Sequence, residues 1–131
     1  MTVLTIYDVR MGADLREINI DCNEPDKVAA FWGDVLGWNV QDNGEVLWMS
    51  ASGEPFPDLL LIFVQVPEKK SVKNRIHLDV SPVGCDRDEE VARLIALGAK
   101  RVDVGQAEVP WVVLADPEGN EFCVLGRRAD V

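Results

Sequence analysis

The sequence predicts an α+β fold made of two tandem β-α-β-β-β modules in one domain of 131 residues. Three observations predict it. The segment Ile76-His77-Leu78-Asp79-Val80 echoes the earlier Ile18-Asn19-Ile20-Asp21-Cys22. Each is followed by a helical stretch that closes on Leu-Gly, at Leu36-Gly37 and at Leu97-Gly98. The two offsets, 58 residues between the strands and 61 between the helix ends, are nearly equal. Two copies of one unit can pack around a shared cleft, where equivalent positions face one another.

Residues 2–9 are strand-like and precede the duplication, as an edge strand or a dimer arm. Module one covers about 15–66. Residues 17–22 alternate with period two, so Ile18, Ile20 and Cys22 share one face and Glu17, Asn19 and Asp21 the other. Asn23-Glu24-Pro25-Asp26 has the makings of a helix start: a capping-type residue, an early proline and first-turn acids. Val28, Phe31, Trp32, Val35 and Leu36 then recur at helical spacing, and Gly37 suits a left-handed terminator. Residues 45–51 and 58–66 read as strands joined by a turn at Ser52-Gly53-Glu54-Pro55. The second of them, Leu59 to Val64, is apolar on both faces and belongs in the middle of a sheet.

Module two covers about 74–126 and repeats the plan. Residues 74–80 form its strand and Cys85 to Leu97 its helix, with Asp86 and Glu89 at capping-box spacing. Val91, Leu94, Ile95 and Leu97 supply the apolar side. Strands are expected near 100–104, 110–115 and 121–125, the last two joined by the turn Asp116-Pro117-Glu118-Gly119-Asn120.

The net charge of −10 comes from 23 acidic against 13 basic residues. Such a surface repels phosphate backbones and anionic lipid, so neither nucleic acid nor membrane is an expected partner. The densest basic group, Lys69, Lys70, Lys73 and Arg75, reads as a solvated link between the modules. No apolar run approaches the roughly 20 residues of a membrane span, and no signal peptide is visible at the N-terminus. The three cysteines, Cys22, Cys85 and Cys123, form no Cys-x-x-Cys pair and fit free thiols in a cytoplasmic protein.

Four motifs carry a resemblance to a known family: Phe31-Trp32-Gly33-Asp34-Val35-Leu36-Gly37-Trp38 on the first helix, Asn74-Arg75-Ile76-His77-Leu78-Asp79-Val80 opening module two, Leu97-Gly98-Ala99, and Asp116-Pro117-Glu118-Gly119-Asn120-Glu121-Phe122 in the closing hairpin. In this order and spacing they resemble the vicinal oxygen chelate superfamily of glyoxalases, bleomycin-resistance proteins and extradiol dioxygenases, in its glyoxalase-like domain branch. The resemblance implies two modules side by side whose sheets curl into an open, cup-like barrel. It also implies a metal site in some members, with four ligand positions. Carried over, the first falls on Glu17 and the second near Gln65. The third falls on Arg75, with His77 two residues on, and the fourth on Cys123, with Glu121 two residues earlier. Arginine cannot ligate a cation, so no cofactor is expected; a divalent metal, if one binds, has Glu17, His77 and Glu121 to hold it.

Strand alternation gives a site expectation of its own. With Ile76, Leu78 and Val80 facing the helix, Arg75, His77 and Asp79 face the other way, as do Glu17, Asn19 and Asp21. If that side is the cup interior, six polar groups meet at the duplication axis as a hydrogen-bonded network or a ligand site. His77, the one histidine, is either a satisfied core residue tied to Asp21 or Asp79, or a general base or metal ligand. Glu17 and Arg75 either pair across the modules, or Arg75 recognises an anion with its planar fork. Trp48 and Trp111 sit on strands that would wall the cup, whereas Glu118 and Glu121 are most simply solvated. The expected protein therefore binds a small organic ligand through Glu17, Asn19, Asp21, Trp48, Arg75, His77, Asp79 and Trp111, and assembles as a homodimer. The alternatives are a metal-dependent lyase, isomerase or dioxygenase, in which His77 is the catalytic candidate, and a non-catalytic dimeric interaction domain.

Overall fold

A computed structural model describes residues 11–54, 59–103, 105 and 109–126. The strand-like segment at 2–9 lies outside these residues. The elements run β1 (Glu17–Cys22), α1 (Pro25–Leu36), β2 (Gln41–Asp42), β3 (Leu47–Met49), β4 (Leu60–Gln65), β5 (Leu78–Val80), α2 (Arg87–Leu97), β6 (Lys100–Arg101), β7 (Val112–Ala115) and β8 (Glu121–Val124). Among the described residues they form two open four-stranded sheets with the same plan, β1-β4-β3-β2 and β5-β8-β7-β6. In each sheet the strand before the helix lies parallel to the last strand of its module. The α+β class and the duplication are as the sequence predicts, and the sheets do not close into a barrel.

Local chemistry explains the elements. The largely apolar strand β4 sits in the middle of its sheet, between β1 and β3, with Leu61 and Phe63 buried in the core and Ile62 and Val64 half-buried on the opposite face. Gly37 ends α1 at φ 70°, a conformation that costs a residue with a Cβ roughly 1–2 kcal/mol. Asp86 and Glu89 form the reciprocal capping box at the start of α2.

Three details depart from the sequence reading. The strand expected over 74–80 is confined to Leu78–Val80, because residues 66–76 form an irregular strap between the modules. Module one gains the strand Gln41–Asp42, too short to show an alternation. Asn23 does not cap α1; its side-chain amide donates instead to the carbonyls of Val66 and Glu68, at 2.9 and 3.0 Å.

One core joins both modules. Trp32 and Phe31 from α1 pack edge-on against Phe122 of β8, with ring centroids 4.8 and 6.1 Å apart. Val28, Met49, Leu61 and Phe63 from module one continue into Val91, Leu94, Leu114 and Val124 from module two. Burying each large apolar side chain contributes about 1.5–3 kcal/mol, so this continuous cluster ties the modules together. Helix α1 is also gripped at both ends by module two. The Glu118 carboxylate accepts the backbone N–H groups of Asn23 and Glu24 at 2.6 and 2.7 Å. At the other end the Arg93 guanidinium donates to the carbonyls of Asp34 and Val35 at 3.1 and 3.0 Å, held in place by the buried Glu90. Helix termini leave these groups unpaired, and the carboxylate at the N-terminus and the cation at the C-terminus both complement the helix dipole.

Candidate junction cavity

The strand faces follow from register. On β1, Ile18, Ile20 and Cys22 pack toward the core, while Glu17, Asn19 and Asp21 are exposed on the outer face. Trp48 shares that outer face, being paired to Ile62, which is paired to Asn19. In the second sheet Leu78, Val80, Phe122 and Val124 face the core. Asp79 and its partner Cys123 face outward.

A cavity of about 520 Å³ opens where β1, the terminal strand of its sheet among the described residues, meets the strap, β5 and the β7–β8 hairpin. Its apolar lining comes from Ile18, Ile20, Trp32, Ile76, Leu78 and Phe122. Around these lie Asn19, Asp21, Glu68, Lys69, Lys70, Asn74 and Arg75 from β1 and the strap, with Asp116, Glu118, Asn120 and Glu121 from the hairpin. Asn19, Asp21 and Arg75 thus lie around one cavity, but not through strand alternation: residues from both faces of β1 line it, and Arg75 belongs to the irregular strap rather than to β5. Glu17, Trp48, His77, Asp79 and Trp111 are not part of this lining.

The hairpin carboxylates are all engaged, which corrects the reading of Glu118 and Glu121 as solvated. Asp116, 3% exposed, accepts the indole N–H of Trp32 at 3.1 Å, the backbone N–H groups of Glu118 and Asn120 at 2.9 Å, and the Asn120 amide at 2.9 Å. Glu121 pairs with Lys70 at 2.9 Å and accepts the backbone N–H of Asn74 at 2.9 Å, fastening the strap to the sheet. Lys70 is accordingly part-buried rather than solvated. Burial raises the Glu121 pKa, but the hydrogen bonds from Asn74 and Lys70 outweigh it and leave the carboxyl below its usual value.

A depressed folded-state pKa means that the unfolded chain takes up the proton first as pH falls. The stability contributed by Glu121 is therefore complete above the unfolded carboxyl value near 4.3 and is lost as pH drops through the lower folded value. Urea titrations at neutral pH and near pH 3 should show a smaller loss for Glu121→Gln than for the native chain; an equal loss would contradict this.

Glu17 and Arg75 form no ion pair with each other. His77 is exposed rather than tied to Asp21 or Asp79, with its Nε2 3.2 Å from Lys73 Nζ. Burial, then the carboxylates of Glu118, Asp116 and Asp21, push the Cys22 thiol up to about 11. Burial, then Asp79, raise that of Cys123. Both shifts favour the thiol over the thiolate, the opposite of what activates a cysteine nucleophile.

Among the described residues no three or more His, Cys, Asp or Glu side chains gather in a way that could hold a metal ion. Glu17, His77 and Glu121 in particular do not converge, and Glu121 is already committed to Lys70 and Asn74. The residues present do not fit the metal site that the fold implies. What the cavity offers chemically is shape, apolar surface and a few polar contacts.

The same architecture recurs in solved structures. A glyoxalase/bleomycin resistance protein/dioxygenase family enzyme from Burkholderia phytofirmans PsJN is 21% identical, with a TM-score of 0.64 over 86% of this chain and 97% of that one. The fosfomycin resistance protein FosX from Listeria monocytogenes is 15% identical, with a TM-score of 0.67 over 90% of this chain and 94% of that one. Another structure of that protein, a mutant, holds Mn(II) and 1S,2S-dihydroxypropylphosphonic acid; it is 12% identical, with a TM-score of 0.66 over 91% and 93% of the two chains. No curated protein matches the chain. These likenesses define the class, the glyoxalase/bleomycin resistance/dioxygenase fold. Within it, the chain belongs to the glyoxalase-like domain family, whose model matches residues 17–125.

Proposed function

We propose that this protein binds a small organic molecule in the junction cavity, working in the cytoplasm as a pair of identical subunits. The supporting observation is the cavity itself. Its volume of about 520 Å³ falls in the range of roughly 300–1,000 Å³ typical of ligand sites. The apolar body of the ligand rests on Ile18, Ile20, Leu78 and Phe122. Its polar groups meet Asn19, Asp21 and Arg75, which no hydrogen bond or ion pair among the described residues occupies. The reading needs no metal, because the donor set does not converge.

Titration with the aromatic sulfonate anilinonaphthalenesulfonate tests it, with Trp32 in the cavity wall as the fluorescent reporter. Saturable one-to-one binding is expected. Arg75→Ala should weaken it by about tenfold or more through loss of a charge-assisted hydrogen bond. Ile76→Asp, at a position 83% exposed and safe for folding, should abolish it. Absence of saturable binding, or indifference to both substitutions, would overturn the proposal. Elemental analysis of protein purified without chelator addresses the metal-dependent alternative. A stoichiometric divalent metal that is lost on His77→Ala would displace the metal-free reading.

A further inference from the structure

We infer that the strap is a hinged wall of the cavity, latched by one carboxylate: when Lys70 and Asn74 let go of Glu121, residues 69–76 swing away from the hairpin and admit the ligand to the cavity floor. The inference rests on the ligand-binding reading and adds how that site is entered. Three observations carry it.

The first is a floor that is shut. Cys22, Trp32 and Phe122 line the cavity, yet they are 1%, 2% and 1% exposed. With the strap in place, solvent barely reaches them. A ligand whose apolar body rests on Phe122 gets there when a wall gives way. The second is which wall can give way. β1 is paired to β4 along its whole length, from Glu17 to Cys22. The hairpin is tied to α1, by Asp116 at Trp32 and by Glu118 at Asn23 and Glu24. The strap has no helix or strand over 66–76. Past Pro67 its apolar side chains, Val72 and Ile76, are 75% and 83% exposed, so burial does not hold it. Its start is fixed to module one. The Val66 N–H donates to the Cys22 carbonyl at 2.9 Å, and the Asn23 amide holds the carbonyls of Val66 and Glu68. Its end runs into β5 at Leu78. The stretch between is a span with two hinges.

The third is the latch. Among the described residues, the hydrogen bonds and the ion pair from the strap to the hairpin all end on Glu121. Lys70 Nζ lies 2.9 and 3.1 Å from its two carboxylate oxygens. The Asn74 backbone N–H donates to the carboxylate at 2.9 Å, and the Asn74 amide donates to the Glu121 backbone carbonyl at 3.3 Å. Lys70 and Asn74 are part-buried, whereas Lys69, Ser71, Val72, Lys73, Arg75 and Ile76 around them are exposed. So small a set of polar contacts breaks far more often than the core that both modules share, which makes strap opening a local event.

Amide hydrogen exchange and stopped-flow probe binding on the full chain test the inference. In the native protein the Asn74 amide should exchange about tenfold or more faster than the amides of β4, which open with the whole fold. Glu121→Gln and Lys70→Gln each break the ion pair with little change of shape. Each should speed Asn74 exchange by about a further tenfold relative to β4. Each should also raise the association rate of anilinonaphthalenesulfonate several-fold. The two substitutions change the net charge in opposite directions, so steering of the anionic probe alone would speed one and slow the other. Asn74 exchange no faster than that of β4, or association rates that ignore both variants or move in opposite directions, would overturn the inference. The two proposals fail separately. Fast strap exchange in a protein that takes up no probe refutes the ligand site and supports the latch. Saturable binding at a rate indifferent to both variants refutes the gate and supports the ligand site.

Discussion

Asp116→Ala is expected to destabilise the protein by about 3–5 kcal/mol. The carboxylate is buried and accepts the Trp32 indole N–H, two backbone N–H groups and the Asn120 amide. Alanine would leave the indole and the two hairpin amides without an acceptor. Each buried donor so stranded costs about 1–3 kcal/mol. The hairpin would also lose the turn that presents Glu118 to α1 and Glu121 to the strap. Urea unfolding should show a midpoint lowered on the order of 2 M, and a change below about 1 kcal/mol would refute the role assigned to this residue.

Phe122→Ala should cost a similar amount, about 3–5 kcal/mol, for a different reason. The ring is buried where α1 meets the second sheet, against Trp32 and Phe31, and its removal leaves a void at the centre of the joint core. Because Phe122 also lines the junction cavity, the void should open into that cavity. The expected signature is a red-shifted Trp32 emission as water reaches the indole, together with a lower thermal midpoint. Loss of stability without any change in tryptophan emission would mean that the void collapses and that Phe122 does not set the cavity's floor.

The sequence carried much of the fold because local patterns encode it. Period two in residues 17–22, the apolar run of β4 and the Asp86 and Glu89 spacing each act within a few residues, and each appears where expected. The two-residue strand β2 left no pattern because alternation needs more positions than it has, whereas β6 falls at the start of the strand expected over 100–104. The site was less legible. Alternation tells which side chains share a face, but not what lies across from that face. Asn19, Asp21 and Arg75 reach the cavity, yet much of its lining comes from the strap and the closing hairpin, which are placed by tertiary contacts. Glu118 shows the difficulty well: an acid in a turn looks solvated, and its partners are the backbone amides of residues 94 and 95 positions away.

The grip of module two on both ends of α1 has a consequence for how the duplicated chain can be divided. A polypeptide cut within 71–73 would yield two halves that each retain a complete set of strands. The first half would have lost the acceptor for its helix start, the donor for its helix end and the Phe122 ring against which Trp32 rests. Neither fragment should hold its shape alone, whereas the two mixed together should reassemble: the repeats are alike in pattern but interdependent in folding.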